Sequence, residues 1–206
     1  MNKEKEKKKK IIVLLLSLFM IALLAIAGTI AYFSHTESIK NVFVIGEGVE
    51  IELTEPTWDL DYPSGVANFS SPGQVIRKDP TIQNLGSDCW VRFKLELKDQ
   101  NGAMITGSKA DDIWDLIDEW NSEFVLDNNY SDSENGIRFY NYTNILKEGS
   151  NPQTLFENIK IPQSWTASRI EALATFKIIV SAQAIQAAGF EDNPEAAFEA
   201  LQVFEH

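Results

Sequence analysis

The groups in this sequence that could carry out chemistry are few and poorly spaced for it. There are two histidines, His35 and His206, and one cysteine, Cys89. A catalytic zinc needs three protein ligands, and the helical H-E-x-x-H source of two of them does not occur. His35 follows closely on an apolar N-terminal run and His206 is the last residue, so neither stands where order is expected. Cys89 has no internal histidine to activate it, no G-x-S-x-G elbow is present, and no glycine-rich loop could cradle a phosphate. The nearest thing to a calcium loop, Asp127-Asn128-Asn129-Tyr130-Ser131-Asp132, has Asp at its sixth position. It also has Arg138 where an EF-hand needs a bidentate Glu. These residues predict a chain that is not an enzyme, with no catalytic residue, metal ligand or cofactor.

Binding is less easily set aside. Trp58, Tyr62, Tyr140 and Tyr142 either form a sugar platform or fill a core, the ordinary use of aromatics in β-structure. The formal net charge is -12; residues 1–32 carry six Lys and two Glu, so the rest of the chain is more negative by four, at -16. An acidic surface of this kind repels nucleic acid and anionic headgroups, and keeps a protein soluble outside the cell. It also offers scattered carboxylates to divalent cations.

These residues are organised by what precedes them. Lys7 to Lys10 lead into an apolar run over residues 11–28, broken only by Ser17, and then into Thr29-Ile30-Ala31-Tyr32-Phe33-Ser34. Basic, apolar, then small and polar is the order of an export signal. As a helix the run would be about 27 Å long, just short of a hydrocarbon core of roughly 30 Å, so it can be cleaved or kept as an anchor. The lysines hold the cytoplasmic side, which places the remainder outside. The reading is therefore a signal peptide or uncleaved anchor over residues 1–32 and a single exported domain over 33–206. A lone cysteine allows no internal disulfide, so that domain must be held by packing. Cys89 itself reads as a small buried apolar group.

The exported part alternates with period two. Val49, Ile51 and Leu53 face one way and Glu50, Glu52 and Thr54 the other. Residues 57–71 read as a long loop pinned by Trp58 and Tyr62. A strand over 74–83 is interrupted by Pro80, which confines it to an edge or breaks it. Val91, Phe93, Leu95 and Leu97 predict a dry face, and Arg92, Lys94, Glu96 and Lys98 a wet one, which predicts an antiparallel sheet. Ile113, Leu116, Ile117 and Trp120 recur at helical spacing, predicting a helix from Lys109 to Asn121 capped by Ser108. Short strands follow at 123–126, 137–142 and 155–161, then a long one over 176–184. Asn193 and Pro194 open a last helix through Phe204. The sum is an all-β, antiparallel sandwich of jelly-roll or immunoglobulin-like type, with one inserted helix and a short C-terminal one, behind an N-terminal signal or membrane helix.

The string AYFSHTESIKNVFVIGEGVEIELTEP resembles the signal-peptide exit and first mature strand of the TasA and camelysin family, exported proteins of Gram-positive bacteria. SPGQVIRKDPTIQNLGSDCWVRFKLEL resembles that family's turn–strand–turn–strand stretch, and LFENIKIPQSW with VSAQAIQAAGF resembles the ending of many SipW-dependent exported proteins. Residues 99–150 match no motif. The resemblance implies a jelly roll, processing around Ala31, Tyr32 and Phe33 by a SipW-type signal peptidase, and a homo-oligomer or fibre. It also brings in the metallopeptidase class to which camelysin-like proteins have been assigned, which the histidines above do not support.

The function expected is an exported structural protein of the cell surface or biofilm matrix, secreted or membrane-anchored through residues 11–28 before cleavage. It would assemble by strand addition, with Val42, Phe43, Val44 and Ile45 as the donor strand. The same four residues read equally as the first strand of the chain's own sheet. The alternative is a surface module binding glycans or calcium through residues 127–136 or the aromatics near Trp58.

Overall fold

A computed structural model describes residues 35–46, 48–173 and 175–202, with the backbone alone at 35–41 and 43. The chain divides into two units between Phe33 and Ser34. The first lies outside the described residues, and with it the apolar run over 11–28 and the expected processing residues Ala31, Tyr32 and Phe33. Among the described residues no helix is long and apolar enough to cross a membrane.

The second unit is mostly β. Its largest sheet has six strands: β1 (His35–Ile45), β3 (Ala67–Asn68), β6 (Cys89–Asp99), β8 (Phe124–Leu126), β9 (Ile137–Tyr142) and β12 (Phe176–Gln186). They run in the order β3-β1-β12-β6-β9-β8. A three-stranded sheet contains β10 (Gln153–Thr154), β5 (Thr81–Asn84) and β2 (Ile51–Thr54); another contains β4 (Val75–Arg77), β11 (Phe156–Lys160) and β7 (Ile117–Trp120). Among the described residues four helices join them, three inserted and one C-terminal where one of each was expected: α1 (Pro56–Asp61), α2 (Ser108–Trp114), α3 (Ala167–Leu173) and α4 (Pro194–Gln202).

Val91, Phe93, Leu95 and Leu97 of β6, with Phe176, Ile178, Val180, Ala182 and Ala184 of β12, form the dry face of the large sheet. They share one core with Ile51, Leu53, Ile76, Ile82, Phe156 and Ile159 from the small sheets. Antiparallel sheets closing on a common apolar interior are compatible with a β-sandwich. Pro80 breaks its strand as expected: β4 and β5 on either side of it belong to different sheets.

Four local expectations are corrected. One ladder is parallel, that of β1 on β12. Parallel strands are usually buried on both faces, and β12 is, since Ile179, Ser181, Gln183 and Ile185 on its other face are buried too, whereas β1 keeps Val42 and Val44 half exposed. Residues 57–71 are not simply loop: α1 opens at Pro56, whose missing N–H costs a first turn nothing. The backbone N–H groups of Thr57 and Trp58 donate to the Asp79 carboxylate.

The helix expected to Asn121 stops at Trp114, and the side chain of Ser108 does not cap it. Ile117 and Trp120 leave the helical path for β7, pairing with Ile159 and Phe156 of β11. Their apolar spacing fits either element, and the vacant edge of β11 decides between them. Lastly, Arg92 is not on a wet face. Helix α4 lies over that side of β6 and β12, joining Trp90, Ile185, Ala197, Phe198 and Leu201 in a second apolar cluster.

Candidate strand-exchange site

β1 lies in parallel register with β12 from Thr36 opposite Phe176 to Ile45 opposite Ile185. On its other side β3 covers only His35 and Thr36. Among the described residues no strand pairs with that outer edge from Ser38 to Ile45. Among the described residues the backbone donors and acceptors along that edge are thus left without a strand partner, which is the feature that templates strand addition.

The register places Val42 opposite Ala182 and Val44 opposite Ala184, so both valines belong to the core face of the sheet. They are nevertheless 41% and 45% exposed, while both alanines are fully buried. Phe43 pairs with Gln183. Ile45 reaches the other face and packs against the apolar cluster under α4. All four residues expected to make up a donor strand thus lie along one seam, within their own chain.

The exit from the seam is built from glycine. Gly46 has φ of +111° and Gly48 of +72°, conformations that cost a glycine little and other residues much. A β-carbon on Gly46 would sit 2.8–2.9 Å from the Gln186 side chain at the end of β12. This close approach lets β1 turn away toward β2 where β12 ends. The sequence shows the glycines but not that they serve one seam, because the partner strand is far along the chain.

The other candidate residues do not gather into a site. Trp58 is buried and packs 4.8 Å from Tyr62, centroid to centroid. Tyr140 stacks on Trp120 at 4.5 Å, and Tyr142 packs tilted against Phe124 at 5.1 Å. Burial raises the hydroxyl pKa of all three tyrosines, helped at Tyr62 by Asp61 and at Tyr142 by Glu123. Trp58, Tyr140 and Tyr142 are buried, and Tyr62 is partly buried against the core. Cys89 is fully buried, and burial, with Asp88 beside it, pushes its thiol up to about 12. It is not a nucleophile at physiological pH.

In the acidic loop, Asp127 accepts from Asn129 N–H and Asn141 Nδ2, and Asp132 accepts from Asn135 N–H and Nδ2. Those carboxylates hold turns. Among the described residues no three His, Cys, Asp or Glu side chains converge on a metal position. Compared with known proteins, the chain matches no family model, and no match is found among curated proteins or solved structures.

Proposed function

We propose that this chain is an exported structural protein of the cell surface or biofilm matrix, resembling the TasA and camelysin family in a jelly-roll sandwich and in SipW-type processing. It polymerises by exchanging β1 between copies. The observation that carries the reading is the placement of β1: a long strand at the open flank of the sheet, held mainly by β12 and joined to the body through Gly46 and Gly48. Ten register pairs made within one chain can be made equally between two, so exchange costs little beyond opening the seam. A head-to-tail exchange of this kind does not close on itself, and it grows fibres. Retention of residues 1–32 would tether the strand, and cleavage would release it.

The test is a lock. With Val44→Cys and Ala184→Cys, oxidation ties β1 to its own β12; the native thiol of Cys89 is buried and does not compete. The expected result is a mature protein that stays monomeric while oxidised and forms fibres by electron microscopy after reduction. Fibres from the fully oxidised form would overturn the reading.

A second reading, a surface module for glycans, rests on a different observation. A cleft of about 650 Å³ between β8, the turn after it and α4 is lined by Asp127, Asn129, Tyr130, Asn141, Glu195 and Phe198 among others. Among the described residues, Asn141 Oδ1 is buried there without a hydrogen-bond partner. A rise in melting temperature with an oligosaccharide, lost in Asn141→Ala, would support that module. Its absence across a glycan panel would set it aside.

A further inference from the structure

Glu55 follows β2 and Lys78 follows β4, strands that belong to two different small sheets. Their side chains meet in the core. Lys78 Nζ lies 2.6 Å from Glu55 Oε1, and both side chains have no solvent exposure. The Trp58 ring covers the amine, its centroid 4.7 Å from Nζ. Neither strand exchange nor the α4 cleft uses this pair.

Two opposite charges taken wholly out of water are costly to keep, even when they touch. An amine held against a carboxyl away from water is the arrangement in which a desolvated lysine acts as a nucleophile. We propose that Lys78 and Glu55 are joined by an intramolecular isopeptide bond. Nζ attacks Cδ of Glu55: the Nζ–Cδ bond forms and one Cδ–O bond breaks. That oxygen departs as water, carrying the two protons the ammonium gives up in becoming an amide N–H. Nothing is oxidised or reduced, and no co-reactant is needed.

The fold supplies what a free amine and acid lack in solution. Groups held at contact distance react as if at roughly 10⁵ to 10⁸ M, provided the approach is in line. The water released leaves for bulk solvent, and the buried amide is closed to its return. One neutral amide replaces two buried charges. The bond also ties the β2 sheet to the β4 sheet across α1, where a chain with a single cysteine can place no internal disulfide.

The experiment is intact mass spectrometry of the denatured mature protein, with its N-terminus read by sequencing. The expected mass is lighter than the sequence mass by one water. A tryptic digest should yield a branched peptide joining Glu55 to Lys78, with no cleavage after Lys78. In Lys78→Met the full sequence mass should return, which separates this bond from dehydration elsewhere. Should that variant fail to fold, the branched peptide in the wild-type protein decides alone. Full sequence mass in the wild-type protein, with free cleavage after Lys78, overturns the proposal and leaves an ion pair.

Discussion

Val44 stands in parallel register opposite Ala184, the valine half exposed and the alanine sealed. The pairing is thus lopsided: β12 is a core strand, and β1 is a flank laid against it. If β1 leaves, the cost falls on β12, whose buried face must be covered again by an equivalent strand. This asymmetry separates exchange of β1 from simple edge-to-edge stacking, because only exchange rebuilds the same contacts.

Val44→Lys tells the two modes apart. A half-exposed flank position tolerates lysine with a change in stability within about 0.5 kcal/mol. In exchange, the lysine occupies the same half-open position in the fibre as in the monomer, so fibres persist. In edge-to-edge stacking, a charge on the open strand blocks growth. Electron microscopy and equilibrium urea unfolding of the variant give the answer; loss of fibres at unchanged stability would favour stacking.

The glycine exit makes a ranked prediction for urea unfolding. Gly65 has φ of +72° with nothing within 4 Å of a new β-carbon, so Gly65→Ala reports the backbone term alone, about 1–2 kcal/mol. Gly48→Ala has the same φ and adds a 2.8 Å approach to Ser87 Oγ, which can rotate away, so its cost is equal or slightly larger. Gly86→Ala is the worst, about 2–3 kcal/mol, since its β-carbon falls 2.2 Å from the Gly48 carbonyl oxygen, a backbone atom that cannot swing aside. A flat response across the three would mean that the hinge is already loose.

Cys89 sets an alkaline limit. Its thiol is raised from 9.0 to about 12 in the folded protein, so the stabilisation it gives is fully present below pH 9.0. Above that the unfolded chain ionises and the folded one does not, and stability falls with pH at up to about 1.4 kcal/mol per unit, until the folded value is reached. Cys89→Ala should flatten the slope between pH 9 and 10, before the tyrosines contribute. Slow alkylation of native protein at pH 8 and fast alkylation in urea would confirm that burial is the cause.

The acid side runs the other way. Asp88 is held below its usual value of 3.8 mainly by a hydrogen bond from Lys147, with Glu148 N–H second, and Asp118 mainly by Lys160, with Glu119 N–H second. Their contribution is present above pH 3.8 and disappears as pH falls through the lower folded values. Both carboxylates are surface groups, so Lys147→Met should change the acid midpoint only slightly. A large shift would mean that Asp88 anchors more than its turn.

Much of the fold is legible in the sequence where one residue pattern answers to one neighbour. The apolar set Val91, Phe93, Leu95 and Leu97 needs only a core to face, and β9 and the start of α4 fall close to where turn and cap residues place them. Asn193 Oδ1 accepts from Ala196 N–H as an N-cap should. What fails is set by distant partners. Ile117 and Trp120 follow β11 rather than their own periodicity, and β1 takes a parallel partner more than a hundred residues away. Glu55 and Lys78 look like ordinary surface charges until two sheets close over them. For the seam itself, the apolar run and the glycines are visible in the sequence, but the register that makes them a site is not.

Arg92 is the sharpest such case, and it yields the last prediction. In the strand pattern it is a solvent-facing charge; in the fold its Nε donates to Gln183 Oε1, while Nη1 reaches the Phe198 carbonyl at 3.3 Å and Nη2 reaches Gln202 Oε1 at 3.2 Å. Its guanidinium also lies 4.7 Å from the Phe139 ring centroid. One side chain thus ties the last helix to two central strands, and its charge lies toward the negative end of that helix. Arg92→Met keeps the apolar stem and removes the donors, which should cost about 1.5–3 kcal/mol. Lysine should not rescue it, since a single ammonium cannot reproduce a planar fork. The loss should be local first: hydrogen exchange in 194–202 should rise, and Trp90, edge-on to Phe198 at 6.0 Å, should change its fluorescence before β6 opens. If the helix stays protected in Arg92→Met, the apolar contacts of Ala197, Phe198 and Leu201 alone hold it, and the buried guanidinium serves packing rather than anchorage.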